Sequence, residues 1–375
     1  MKVGLVPLLY NEYNYGGVLQ FYALQRILKN SNIECDIIFF NNDEKISYFE
    51  LSIRKKMLLN LKRTIYAFFD KKESIIEKNI RIRKLKIDEF KRQHYSQLIN
   101  ENNISYSKYD AIVCGSDQIW NPNWARRRCF LEFVPDEINK VIYAASLGCE
   151  NMSKEQKAQF EPRIERLQYV SVREQSGKAI LDSFIKDKDI KVVLDPTLLL
   201  LPEDWNNIMI EPKEKGYVFT YFLGKYDDKI DYIGEFAKRK GLKIVNIPFA
   251  SGEKNDDVCF GDLQIKDADP GEFIGLIKNA EYIFTDSFHA CVFSVLFKKE
   301  FYAFQRDNSK KMQGRINTLL HNFNLPDRFI DVGTDLDMIS SIDYQNNDTV
   351  QKSLRRDSLT FLLDSINDKY NMVKK

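Results

Sequence analysis

Short runs of Val, Ile, Tyr and Phe alternate with amphipathic stretches along the chain, in two successive rounds. Such alternation predicts strands and helices taking turns, which is the pattern of parallel α/β sheets. In the first round, residues 2–9 form an apolar run that ends in the loop "NEYNYGG". "VLQFYALQRILKN" follows, with Leu19, Tyr22, Ala23, Arg26 and Ile27 at helical spacing, and then the strand "CDIIFF". A strand, a helix and a strand predict a right-handed parallel crossover. "YDAIVCG", "KVIYAAS", "YVSVRE" and "IKVVLDP" continue as strands, each followed by a polar or glycine-containing loop. This half reads as an open doubly wound sheet.

"LDPTLLLLPEDWNNI", residues 194–208, carries two prolines and a helix start and reads as a link. The second round runs "YVFTYFLG", "DYIGEFAKRKG", "LKIVNIP", "PGEFIGLIKNA", "YIFTDS", "HACVFSVLF" and "EFYAF". At 375 residues and 44% hydrophobic, the chain has material for two cores. The expected architecture is α/β, with two Rossmann-like lobes and a ligand cleft at the carboxyl ends of the strands. The first lobe is expected over residues 1–198, with a basic helical insertion at about 46–105, and the second over 199–345. Residues 346–375, containing "SLRRDSLTFLLDSINDKYNMV", form an amphipathic helix expected to pack back across the lobes.

The 56 basic and 54 acidic residues nearly cancel, so global charge predicts no nucleic-acid partner. Locally the balance differs. Between Arg54 and Arg92, fourteen Lys or Arg stand against five Asp or Glu. Cys35, Cys114, Cys129, Cys149, Cys259 and Cys291 are scattered, with no C-x-x-C and no histidine at metal spacing. They read as reduced core residues of a cytoplasmic chain. The first apolar run ends in a glycine turn instead of a cleavage site, so it reads as a strand, and no later run is long enough to span a bilayer.

Several strand ends carry chemistry. Asn14, Tyr15, Gly16 and Gly17 lie between the first strand and the first helix. Glycines there let the backbone approach a ligand, and free N–H groups favour an anion; the same residues also suit a tight turn. "CGSDQIWNPNW" ends a buried strand at Gly115 and Ser116, then clusters Asp117, Gln118 and Asn121 beside Trp120 and Trp124. Aromatic faces next to carboxamides suit a sugar, whose C–H face stacks while its hydroxyls are bonded. A helix cap with core tryptophans is the alternative. "SVREQSG" sets Arg173 and Glu174 directly after a strand. That arginine offers a planar fork for a carboxylate or phosphate, or an ion pair with a neighbour. "TDSFHACVFSVLF" places Asp286 and Ser287 as caps and His289 in the first turn of an apolar helix, where the dipole favours a neutral imidazole or an adjacent anion. The acidic pairs "DAD" at 267–269 and "DLD" at 335–337 read as chance spacings, so no metal site and no cofactor are expected.

The order "NYGGVLQFYALQRIL", "YDAIVCGSDQIWNP", "IYAASLG", "SVRE", "LDPTLLL", "YVFTYFLG", "TDSFHACVFSVLF" and "RINTLLHNFNLPDRF" resembles the polysaccharide pyruvyl transferase family, from about Val3 to Phe329. The resemblance implies a glycosyltransferase-B-like protein that moves a pyruvyl group from phosphoenolpyruvate onto a sugar as a cyclic ketal. It implies that Arg173 binds the donor and that His289 is the strand-end histidine of the motif, a catalytic candidate together with Asp117. One well-known form of that motif has an arginine two residues before the histidine, where this chain has Ser287. Lys225, Arg306 and Arg315 are the residues expected to supply the missing charge at the donor site. Asn14, Tyr15, Gly16, Ser116, Gln118, Trp120 and Asn121 are the expected acceptor side.

Acceptors of this kind are expected on a polyprenyl diphosphate. The basic stretch "RKKMLLNLKRTIYAFFDKK" then reads as a helix for an anionic membrane surface, placing the protein peripherally at the inner face of the plasma membrane. A solvated insertion packed on its own lobe is the plainer reading. A glycosyltransferase using a nucleotide sugar and a non-catalytic sugar-binding protein would suit the same two lobes.

Overall fold

The computed structural model describes residues 1–8, 13–40, 75–248, 260–306 and 313–368. Among the described residues, thirteen strands make two sheets. The first contains β1 (Lys2–Val6), β2 (Glu34–Phe39), β3 (Leu98–Asn100), β4 (Ala111–Asp117), β5 (Asn139–Ala145), β6 (Tyr169–Val172) and β7 (Lys191–Val192), in the order β3-β2-β1-β4-β5-β6-β7. The second contains β8 (Tyr217–Tyr221), β9 (Lys243–Asn246), β10 (Leu263–Gln264), β11 (Tyr282–Thr285), β12 (Glu300–Phe304) and β13 (Phe329–Ile330), in the order β10-β9-β8-β11-β12-β13. Every pairing is parallel. Strand order therefore reverses between β1 and β4 and again between β8 and β11, and at such switch points the loops diverge to leave a crevice. These are two Rossmann-like lobes of the glycosyltransferase-B type.

The helices are α1 (Tyr15–Asn30), α2 (Ile75–His94), α3 (Lys154–Glu165), α4 (Gln175–Asp182), α5 (Pro202–Asn206), α6 (Ile230–Lys240), α7 (Pro270–Asn279), α8 (Phe288–Leu296), α9 (Gly314–Asn322) and α10 (Tyr344–Asn367). Local chemistry sets their ends. Asn14 caps α1 by accepting a hydrogen bond from Gly16 N at 2.9 Å, and Asp269 and Glu272 close a capping box on α7. The central strands are apolar on both faces because helices cover both; Ala111 through Cys114 are fully buried. The short edge strands β3, β10 and β13 were not anticipated from the sequence, since two or three residues carry no periodicity.

One apolar cluster runs from the first sheet through α1 into α7 and α8 of the second lobe. Tyr15 stacks on Phe273 at 4.7 Å and donates its hydroxyl to Ala268 O at 2.7 Å, and Trp205 meets Tyr22 of α1 at 5.7 Å. Such aromatic pairs add about 0.5–1.5 kcal/mol each beyond burial, so the lobes are cemented below the crevice. α10 touches both lobes: Arg355 Nε donates to Leu198 O at 2.8 Å, and Tyr344 donates to Lys299 O at 2.6 Å.

The basic insertion is described in part, and residues 46–74 lie outside the described residues. In α2, Arg83 donates to Lys266 O and Pro248 O of the second lobe at 3.0 Å each, and Lys86 pairs with Asp267 at 3.1 Å. Lys91 is also buried. This helix thus spends three of its cations on protein contacts, and it bridges the lobes instead of packing on its own lobe alone. Among the described residues no helix is long and apolar enough to cross a membrane.

Candidate active site

The loops at the switch points of both sheets enclose a cavity of 380 Å³. Asn14 reaches it from the loop after β1, Asp117 from the end of β4, and Gln118, Trp124 and Arg126 from the loop that follows. Across from them stand Ser287, Phe288 and His289 after β11, Arg306 after β12, and Arg315 on α9. Three arginines and a histidine facing one aspartate make the lining strongly cationic. Such a lining attracts negative charge.

Ser287 caps α8 by accepting from Ala290 N at 3.4 Å, which puts His289 in the first turn. The imidazole lies against the start of α1, where an added Cβ on Gly16 would fall 2.0 Å from His289 Nδ1. Glycine is therefore required at position 16 by close approach. On its other side, His289 Nε2 stands 3.6 Å from Asp195 Oδ2, too far for a hydrogen bond, and it has no other hydrogen-bond partner among the described residues. Asp195 is buried, and its Oδ1 accepts from Thr197 N at 3.1 Å and from Thr197 Oγ1 at 2.7 Å. Burial alone would raise the Asp195 carboxyl, but the charge of His289 when protonated and the Arg173 guanidinium outweigh it and hold the group well below the usual carboxylate range.

Arg173 links the site together. It donates to Asp195 Oδ2 at 2.6 Å and to Asp117 Oδ1 at 2.7 Å, with its guanidinium 4.4 Å from the Phe288 ring. Burial again opposes ionisation of Asp117, and Arg173, His289 and Arg315 reverse the sign and lower its pKa. Asp117 also holds a left-handed φ of 69°, an uncommon conformation for a non-glycine residue that turns its side chain at the strand end.

Arg315 is the opposite case. It is 5% exposed, and its guanidinium makes no hydrogen bond or ion pair among the described residues. Burial, then the nearby Arg173 and Arg306, push it down to about 9. It stays protonated at neutral pH, at an energetic cost that a bound anion would relieve. Arg306 donates to Asp286 O at 3.1 Å, while the Asp286 carboxylate accepts from Leu223 N at 2.7 Å and Gly224 N at 2.8 Å, fixing the loop after β8.

A sequence model of polysaccharide pyruvyl transferases matches residues 14–308, which include nearly all of these strand-end loops. The chain belongs to the polysaccharide pyruvyl transferase family. It is accordingly a transferase. No curated protein matches it. Among solved structures, UDP-GlcNAc 2-epimerase from Neisseria meningitidis bound to UDP-GlcNAc is similar at 12% identity and a TM-score of 0.48, covering 98% of this chain and 99% of that one. The Methanocaldococcus jannaschii UDP-GlcNAc 2-epimerase (14%, TM-score 0.44, covering 99% and 94%) and Arabidopsis thaliana UGT89C1 complexed with UDP (10%, 0.43, 97% and 94%) are also similar. Likenesses this remote say nothing about the chemistry of this transferase, whose fold rests on its own strand orders.

Within the pyruvyl transferase cleft, Asn14, Asp117, Gln118, Ser287, His289, Arg306 and Arg315 come together as lining residues. Other residues expected there are placed elsewhere. Arg173 does not line the cavity; it is 4% exposed and both its terminal nitrogens are held by carboxylates. Trp120 is fully buried, stacked on Phe130 at 5.4 Å, and donates its indole N–H to Cys129 O at 3.0 Å. It offers no face to the cavity, which Trp124 lines instead. Tyr15 is part of the interlobe core, and Ser116 is buried, donating to Ala144 O at 2.7 Å. Asn121 is buried and supports Gln118, donating to its Oε1 at 2.9 Å. Lys225 is exposed and faces a separate hollow beside Asp227, Asp228 and Asp331. Asp195 and Arg126 were missed. "LDPT" reads as a linker, although an acidic residue at a strand end is itself a signal, and Arg126 opens an "RRR" run with no periodicity.

Proposed function

We propose that the cleft transfers pyruvate from phosphoenolpyruvate onto a sugar of a surface-polysaccharide precursor, forming a cyclic ketal and releasing phosphate. The observation that carries this reading is Arg315, a buried guanidinium without a counter-ion among the described residues, facing the same cavity as Arg306, Arg126 and His289. Phosphoenolpyruvate is a compact trianion, and that lining is what such a ligand needs. The charge sought at Ser287 is then supplied by Arg306 and Arg315 from neighbouring elements of the second lobe. Trp124, Asn14 and Gln118 form the facing acceptor wall on the first lobe.

In the reaction, C3 of the enol takes a proton, a sugar hydroxyl adds at C2, the bond from C2 to the phosphate oxygen breaks, and a second hydroxyl closes the ketal. One hydroxyl proton ends on the new methyl group and the other on phosphate. Asp117, held ionised by Arg173, is placed to accept a hydroxyl proton, and His289, backed by Asp195, to deliver one to the enol or the leaving phosphate. The guanidiniums of Arg306 and Arg315 hold the donor carboxylate and phosphate as charge moves.

The acceptor is proposed to be carried on a polyprenyl diphosphate, with the basic stretch from Arg54 bringing the protein to an anionic membrane surface. Incubating the protein with phosphoenolpyruvate and candidate lipid-linked sugars tests the reaction. Phosphate release with a matching pyruvyl mass gain is expected, and turnover of a nucleotide sugar with none of phosphoenolpyruvate would overturn it. Sedimentation with vesicles tests the membrane part; binding indifferent to lipid charge and salt would end it.

A further inference from the structure

We propose that Arg173 and Asp195 are positioning residues of the transfer reaction, fixing the place and charge of Asp117 and His289 without holding the donor. This inference rests on the pyruvyl-transfer reading above. Its basis is the way one guanidinium is divided. Arg173 leaves the end of β6 and sends one terminal nitrogen to Asp117, which lines the cavity, and the other to Asp195, which faces His289. The two carboxylates come from different stretches of the first lobe, at the end of β4 and after β7, and the fork fixes their separation.

Asp195 is itself immobilised. Thr197 occupies Oδ1 through both its N–H and its hydroxyl, while Oδ2 takes Arg173 at 2.6 Å and a long contact from the Ser116 hydroxyl at 3.5 Å, and faces His289 Nε2. A gap of 3.6 Å closes to a hydrogen bond with a small shift of the ring, and catalytic contacts commonly tighten when substrate arrives. His289 is boxed from the other side by Gly16, so its ring has little freedom except toward Asp195 or the cavity. Nε2–H donating to a buried carboxylate would fix the tautomer and stabilise an imidazolium, as an aspartate does behind a catalytic histidine elsewhere. Phe288, next to His289 in the chain, lies under the Arg173 guanidinium at 4.4 Å, so the arginine also seats the first turn of α8.

Kinetics separate positioning from donor binding. Lysine at 173 keeps the charge but cannot satisfy two carboxylates in a fixed fork, and asparagine at 195 keeps the shape but loses the charge. For R173K and for D195N, kcat is expected to fall about 100-fold while the phosphoenolpyruvate dissociation constant from calorimetric titration stays within about threefold of wild type. A rise in that dissociation constant with kcat preserved would make Arg173 a donor clamp and overturn the inference. So would full activity of both variants. Thermal melts accompany each protein, and if R173K fails to fold, D195N and a D117N–D195N double-mutant cycle carry the test. Because both aspartates act through one arginine, their effects on kcat are expected to be non-additive, and additive losses would contradict the inference. Wild-type protein that releases no phosphate from phosphoenolpyruvate sinks the underlying reading; wild-type turnover with R173K impaired solely in donor affinity sinks this inference alone.

Discussion

Two buried arginines, one behind the cleft on the first lobe and one lining it from the second, have opposite circumstances. Arg173, on the first lobe, sits between Asp117 and Asp195, and although burial works against its charge, those carboxylates raise its pKa. Arg315, on the second lobe, is equally buried, has no carboxylate bound to it among the described residues, and is lowered to about 9. The difference separates structure from binding. A guanidinium whose partners are built into the protein holds the protein together, whereas one left without a partner beside a cavity is prepared for a ligand's negative charge.

Removing each arginine should therefore damage different properties. The R173M variant is expected to lose about 3–5 kcal/mol of folding stability, because Asp117 and Asp195 are left buried without their counter-charge. R315M should keep or slightly raise stability, since an unpaired buried charge is removed, while weakening phosphoenolpyruvate binding by about 2–5 kcal/mol. Chemical denaturation and calorimetric titration of the two variants measure both effects. Equal stability losses would erase the contrast.

Replacing Gly16 by alanine sharpens it from a third side. The new Cβ must push His289 off its place without touching either arginine, so kcat should fall by about 10- to 100-fold with donor affinity nearly intact. Steady-state kinetics on G16A read this directly.

Acid unfolding gives a smaller signal. Asp117 and Asp195 have folded pKa values below their ordinary range, so their pairing stabilises the protein above pH about 4 and is lost as pH falls toward the folded values. Glu174, pushed up by burial, contributes with the opposite sign in the same region. Wild type should thus lose more stability on acidification than R173M, which lacks the pairing from the start. Parallel acid limbs would contradict the assignment. On the proposed acceptor wall, W124A is expected to raise acceptor KM by about tenfold at most, whereas W120F should alter stability and leave KM unchanged.

The lobes were legible in the sequence because parallel strands covered on both faces appear as unbroken apolar runs such as "YDAIVCG" and "YIFTDS". The edge strands were not, being too short to show a period. Within the site, the strand-end positions of Asp117, Ser287 and His289 could be read from strand, cap and helix signals. Which way a side chain points could not. Trp120 and Trp124 stand four residues apart in an irregular loop, and nothing local says which indole is core. Arg173 looked like a clamp because its two carboxylate partners lie 56 and 22 residues away in sequence. Asp195 was hidden by proline-rich surroundings that resemble a connector.

Calorimetric titration of phosphoenolpyruvate into wild type, R173K and R315M tests the central claim most directly. Saturable binding by wild type and R173K with loss of binding by R315M is expected. Retained binding by R315M together with loss by R173K would reverse the roles assigned to the two arginines and contradict the account.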